Sequence, residues 1–185
     1  MKKTLLLFTA LSLCFCIAAK AQTASKAIDY PKDFILPETE ILKGYILKPI
    51  DEETQSVGFV ANPGYIENPS FVLGLYENME QQAVEKVFVA MYQLKGDPDF
   101  ETGYYAIAFK SEAWLNKEKP KFRKYNGARY FTSGRYLLQV WGDAGSFADM
   151  VAHVSEYFKT KLDLKEFTPK KQDDTESTKA TNAAH

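Results

Sequence analysis

GRYLLQVWGDAGSFADMVAHVSEYFKTKL, residues 134 to 162, decides how the chain folds. Its first part, Arg135 to Trp141, is a short apolar run rich in aromatic and branched residues with a glycine on either side, the pattern of a buried strand. Its second part, Ser146 to Leu162, changes period. Phe147, Met150, Val151, Val154, Tyr157, Phe158 and Leu162 recur at three- and four-residue spacing and make one apolar stripe, which predicts an amphipathic helix. Ser146 suits the N-cap, Asp149 stands three residues later in capping-box fashion, and Lys159 and Lys161 complement the negative end of the helix dipole. A strand that runs into a helix with one apolar stripe needs a sheet for that stripe to cover.

Upstream residues supply the sheet. Gly103 to Lys110 (GYYAIAFK) reads as a strand, and residues 86 to 94 read as another, joined to the next strand by Gly96-Asp97-Pro98. Ser111 is placed to cap a short helix over EAWLNKEK that Pro120 ends. Lys121 to Tyr125 is predicted as a strand, Asn126-Gly127 as a turn, and Ala128 to Thr132 as the strand that pairs back, with a further turn at Ser133-Gly134. Towards the N-terminus, Glu40 to Lys48 and Val57 to Ala61 read as strands around an acidic turn at Asp51 to Glu53, with a turn or loop at Asn62-Pro63-Gly64. Residues 70 to 76 fit strand and helix equally. Strands followed by a covering helix give an α+β fold: a single domain, an antiparallel sheet and a C-terminal helix packed on one face.

The beginning of the chain reads as an export signal. Lys2 and Lys3 precede an uncharged, mostly apolar run from Leu5 to Ala19, and Ala19-Lys20-Ala21 offers small residues for cleavage. The expected division is a signal peptide over 1–21, one domain over 22–167 and a disordered tail over 168–185, which has no large apolar residue to bury. The location expected is periplasmic or extracellular, with no transmembrane segment after cleavage. Cys14 and Cys16 follow the bulky Leu13 and Phe15, unlike a lipid-attachment site, and both leave with the signal. The remaining chain has no thiol for catalysis, disulfides or metal–thiolate chemistry.

Charge narrows the partners. Of 23 basic and 24 acidic side chains, loss of Lys2, Lys3 and Lys20 leaves 20 against 24, a formal −4. A mildly acidic domain is a poor general nucleic-acid binder, because that affinity rests on neutralising phosphates. Histidine is scarce: His153 lies within the C-terminal helix and His185 ends the tail, so triads and zinc sites lack their components. GDPDFETG, residues 96 to 103, alternates acids but puts Thr102 and Ala108 where a calcium loop of the EF-hand type needs glycine and glutamate. Phosphate-binding glycine motifs are missing, and no cofactor is expected. The acids at 38, 40, 51 to 53, 97, 99 and 101 read as solvated loop charges.

One stretch invites a binding reading. Between residues 117 and 135, Lys117, Lys119, Lys121, Arg123, Lys124, Arg129 and Arg135 face only Glu118, a local charge of +6, with Tyr130 among them. The simpler account is a hairpin whose exposed lysines discourage edge-to-edge pairing. The functional account takes Lys119, Lys121, Arg123, Lys124, Arg129, Tyr130 and Arg135 as a surface for an envelope protein or an anionic glycan. The sequence of elements VFVAMYQLKG, GYYAIAF, GRYLLQVWGD and SFADMVAHVSEYF, within residues 87 to 162, resembles uncharacterised exported bacterial proteins in families of unknown function. That resemblance implies fold and compartment and assigns no catalytic residue. Two functions follow as expectations: a non-enzymatic binding or envelope-assembly module, or a carboxylate-based hydrolase acting on an exported polymer such as a glycan. A cleft holding two acids would favour the second, a shallow basic-aromatic face the first.

Overall fold

The computed structural model describes residues 27–56, 58–67, 79–143 and 147–169. The strands are β1 (Tyr45–Leu47), β2 (Gly64–Tyr65), β3 (Val84–Leu94), β4 (Asp97–Phe109), β5 (Arg129–Ser133), β6 (Tyr136–Gly142) and β7 (Lys165–Phe167). The helices are α1 (Glu52–Ser56), α2 (Glu112–Glu118) and α3 (Ala148–Leu162). The strands form one antiparallel sheet in the order β1-β3-β4-β6-β5-β7, and β2 also pairs with β3. The fold is α+β in a single domain, with the C-terminal helix on the sheet.

β3 and β4 are long because their residues suit burial on both sides. Alternate side chains point to opposite faces, so Phe88, Ala90, Tyr92, Tyr104 and Ala106 enter one apolar cluster, while Val87, Val89, Met91, Tyr105 and Ile107 enter another. The first cluster is completed by the predicted stripe of α3 (Met150, Val151, Val154, Phe158 and Leu162) and by Phe34 and Leu36 from the N-terminal segment. Tyr104 pins that segment: its hydroxyl donates to the Phe34 carbonyl at 2.6 Å and accepts the Leu36 N–H at 3.3 Å. Burial pushes the Tyr104 hydroxyl well above the usual phenol range, so it remains a donor. On the opposite face, α2 and the segments around it contribute Leu115, Phe122, Phe59 and Ile66. This second layer covers only part of its face.

Several expectations need correction. Lys121 to Tyr125 is not a strand. The α-helix itself stops at Glu118, with Lys119 as its C-cap directly before Pro120 as expected, and Lys119–Lys121 prolong it as a 3-10 turn. β5 therefore pairs with β6 and with β7, a three-residue strand after α3 that sequence reading did not find. Phe122 is drawn into the core instead of lying along a ladder, and the Tyr130 hydroxyl holds the chain there, donating to the Arg123 carbonyl and accepting from Tyr125 N, each at 3.2 Å.

Only Tyr45–Leu47 of residues 40 to 48 is strand, and Phe59 makes a single bridge, to Ile66. The acidic turn begins α1, with Asp51 as its cap: Thr54 N–H donates to Asp51 Oδ1 at 2.8 Å and Asp51 N–H to Thr54 Oγ1 at 3.0 Å. Asp97 and Pro98 belong to β4, which leaves Lys95-Gly96 as the hairpin turn. The sequence expectations for Ser146, for residues 70 to 76, for the signal segment and for the tail beyond Pro169 fall outside the described residues. Asp149 stands next to the start of α3, where it accepts the Tyr45 hydroxyl at 2.8 Å. It thereby ties β1 to the covering helix, and burial with this bond pushes the Tyr45 phenol up to about 12.

Candidate ligand-binding cleft

The uncovered part of the α2 face forms a cleft of about 1290 Å³. Its floor follows from strand alternation: Met91 and Gln93 from β3, Tyr105 from β4, and Gln139 and Trp141 from β6. Residues Lys48 to Thr54 form one wall, the Tyr125-Asn126 turn forms another, and Asp99, Glu101 and Asp143 stand at the end where β4 and β6 meet the loops. The volume exceeds the roughly 300–1,000 Å³ of common small-molecule sites. It has room for an extended ligand.

Backbone and side-chain bonds hold the walls in place. Asn62 substitutes for a strand neighbour at the outer edge of β3: its Nδ2 donates to the Lys48 and Met91 carbonyls, both at 2.8 Å, and its Oδ1 accepts Met91 N–H at 2.9 Å. At the far end, Glu101 N–H donates to Asp143 Oδ2 at 3.2 Å, and Asp143 N–H to the Glu101 carbonyl at 2.9 Å. Thr102 Oγ1 donates to the Trp141 carbonyl at 2.6 Å. Gly103 is required where the indole crosses β4. A β-carbon there would stand 2.3 Å from the Ala90 carbonyl oxygen and 3.2 Å from Trp141 Cζ2. The indole lies nearly parallel to the Tyr105 ring, 22° apart with centroids 5.8 Å distant. Trp141, expected inside a buried strand, is thus half-buried and forms part of the cleft floor.

Two polar atoms of lining residues have no hydrogen-bond partner among the described residues. Gln139 Oε1 and Trp141 Nε1 are both buried and unpaired, and Gln139 as a whole is only 4% exposed. An amide oxygen without a partner costs about 1–3 kcal/mol in a buried setting, a cost that a bound group donating to it would remove.

The electrostatics of the cleft are acidic. Among the described residues that line it, Asp51, Asp99, Glu101 and Asp143 stand against Lys48, a formal −3. Lys48 Nζ lies 2.5 Å from Glu101 Oε2, and both side chains are less than 30% exposed, at 19% and 26%. Asp51 is held below the ordinary carboxylate range by the Thr54 N–H and hydroxyl. Burial pushes the Tyr105 hydroxyl up, and the charges of Glu101 and Asp143 push it further the same way. Among the described residues, no group of three or more His, Cys, Asp or Glu side chains is arranged to hold a metal ion.

The seven residues singled out in the basic stretch are divided between the two faces. Lys119 lies on the α2 side with Nζ 4.4 Å from the Phe167 ring centre, and Lys121 pairs there with Glu118 at 3.0 Å and Glu80 at 3.6 Å. Glu118 is fully buried and also accepts the Glu80 N–H at 3.1 Å, so this pair is part of the scaffold. Arg129 turns to the α3 side, where it pairs with Glu156 and Glu166 at 2.9 and 2.8 Å and lies over Phe131. Arg135, in the β5–β6 turn at the other end of the sheet, pairs with Glu85 and donates to the Phe109 carbonyl at 2.7 Å. Tyr130 is 1% exposed. Arg123 is half-buried and Lys124 exposed, beside the Tyr125-Asn126 wall of the cleft.

Sequence reading missed the cleft because its acids come from separate elements: Asp51 at the start of α1, Asp99 and Glu101 in β4, and Asp143 after β6. Asp51, Asp99, Glu101 and Asp143 become neighbours only through the pairing of β1, β3, β4 and β6. One sequence signal was available: Gln139 interrupts the apolar run of β6 at a position facing the same side as Trp141. No helix among the described residues is long and apolar enough to cross a membrane. No family model matches the chain, and comparisons with curated proteins and with solved structures find no match.

Proposed function

We propose that the protein is an exported, non-enzymatic binding module that holds its ligand in the cleft beside α2. The observation that carries this reading is the pair of buried, unpartnered groups, Gln139 Oε1 and Trp141 Nε1, in the lining of a large cleft. Stability alone gives no reason to keep an orphaned acceptor and an orphaned donor there. A ligand that draws these two side chains into the cleft, donating to one and accepting from the other, supplies the reason. In this reading the basic stretch serves the scaffold, because Lys121, Arg129 and Arg135 are committed to acids of the same chain.

The test follows the indole N–H of Trp141 by two-dimensional NMR while soluble fractions of the native envelope are added. A ligand in the cleft shifts that resonance and leaves the indole of Trp114, across the α2 layer, in place. Saturable binding that never moves the Trp141 resonance would overturn the proposal.

A second reading, a carboxylate-based hydrolase, has one observation in its favour: four carboxylates in a single cleft. The commitments of those groups favour binding instead. Glu101 is in a close ion pair, Asp51 caps α1, and Asp99 and Asp143 are exposed, so none stands in the apolar pocket that a general acid needs. Release of reducing ends from an envelope glycan, abolished by Glu101→Gln, would establish the hydrolase.

A further inference from the structure

We propose that the cleft selects ligands through an alkylammonium or guanidinium group, so that its ligand is cationic and not the anion that the basic stretch suggests. This rests on the reading of the cleft as a binding site. Its formal charge of −3 repels anions from the entrance. The Lys48 ammonium offers no compensation, because it is already within 2.5 Å of Glu101, and Arg123 and Lys124 stand beside the Tyr125-Asn126 wall without lining the cleft.

Two independent features point the same way. Gln139 Oε1 is an unpartnered acceptor on a side chain 4% exposed, and an acceptor in that position asks for a donor. The stacked Trp141 and Tyr105 rings supply an aromatic floor, and the ring quadrupole attracts a cation held over its face. Asp99 and Asp143, both exposed, supply charge at the rim. An organic cation therefore meets carboxylates around it, an aromatic surface beneath it and, once the Gln139 side chain turns towards it, an amide oxygen that accepts its N–H. A neutral sugar could use the rings and the amide but would leave the excess of carboxylates unexplained.

Two sources can present this group: a free polyamine, or lysine and arginine side chains on a peptide. Trp141 Nε1 distinguishes them, because the indole needs an acceptor, which a peptide carbonyl supplies and a fully protonated polyamine lacks.

The experiment titrates the mature protein with spermidine, with a trilysine peptide amidated at its C-terminus, with a neutral chitin pentamer and with polyglutamate, following the Trp141 indole N–H. Expected are saturable shifts with spermidine and trilysine, a dissociation constant that rises about tenfold between 20 and 200 mM salt, and weakening by about twofold to fivefold in Asp99→Asn. Asp99 is exposed, so the variant should keep the parent's thermal midpoint, which circular dichroism checks. Tighter binding of trilysine than of spermidine identifies a basic peptide; the reverse order identifies a polyamine.

If the chitin pentamer or polyglutamate moves the Trp141 resonance and the cations do not, the cation proposal is overturned while the cleft remains a binding site. If the cations bind but Asp99→Asn leaves both affinity and salt dependence unchanged, the proposal is again overturned, because the rim carboxylate then plays no part. If none of the four moves Trp141, the proposal falls for these cations; if envelope fractions also leave the resonance in place, the cleft reading falls with it.

Discussion

Replacing Asn62 with alanine should destabilise the protein by about 2–4 kcal/mol, and the structure shows where that cost arises. Asn62 makes three hydrogen bonds to the backbone of Lys48 and Met91. Met91 is 2% exposed, and its N–H faces the outer edge of β3, where among the described residues the Asn62 oxygen meets it. Stranding that donor costs about 1–3 kcal/mol. The Lys48 carbonyl loses its bond as well, which adds about 1 kcal/mol. The Met91 carbonyl loses less, because it keeps the Lys48 N–H at 3.0 Å. Urea denaturation followed by far-ultraviolet circular dichroism measures the change, which should appear as a lower midpoint with an unchanged slope. Asn62→Asp is the decisive companion. It has nearly the same shape and still accepts from Met91, but it sets a carboxylate oxygen against two carbonyl oxygens. It should therefore cost at least as much as alanine. A loss below about 1 kcal/mol for alanine, or an aspartate variant as stable as the parent, would refute this account of the β3 edge.

Lys121→Glu should cost about 2–4 kcal/mol, because it brings a second carboxylate to the fully buried Glu118, whereas Lys124→Glu should stay within about 0.5 kcal/mol; equal costs in a denaturation series would contradict the pairing. Hydrogen bonding to Lys117 is the largest cause that lowers the Glu80 carboxyl to about 2, from an ordinary value of 4.5. Its folded value is depressed, so its contribution to stability is present above the ordinary value and is lost as pH falls from 4.5 towards 2. A carbon-detected NMR titration should place the midpoint near the lower value and move it upward in Lys117→Met; an unmoved midpoint would reject the cause. Leu115→Ala should cost about 2–5 kcal/mol, since this α2 residue is 1% exposed beneath the second layer, and a cost under about 1 kcal/mol would mean that α2 does not seal its part of the sheet.

The parts of the fold that were legible in sequence are those where one local rule dominates. The three- and four-residue stripe from Phe147 to Leu162 can only be a helix against an apolar surface, and it is one. Residues 86 to 94 fitted two periods, and Val87, Val89 and Tyr92 correctly favoured the strand. What was not legible depended on distant partners. Lys121 to Tyr125 alternates like a strand, but Phe122 gains more by entering the core beside Leu115 than by extending a ladder. β7 has three residues and exists because β5 offers it an edge after α3 turns back at Asp163, a non-glycine residue in the left-handed region with φ of 50°. The positive charge at residues 117 to 135 was evident, but the glutamates that absorb it lie at 80, 85, 156 and 166, where spacing gives no warning.

The two apolar clusters lie on opposite faces of the same two strands, and this has a kinetic consequence. β3 and β4 form a local hairpin closed by Lys95-Gly96, with Gly96 at φ of +95°. Loop closure for this pair is therefore inexpensive, and it can form before the distant partners β6 and α3 arrive. Once formed, the hairpin presents a template on each side. A slip of one residue would exchange Phe88, Ala90 and Tyr92 for Val87, Val89 and Met91 and ruin both clusters together. Neither cluster can dissolve while the other survives intact, so the domain should open as one unit. The slowest-exchanging amides should be those of β3 and β4 between residues 87 and 107, with α2 and α3 losing protection in the same global event.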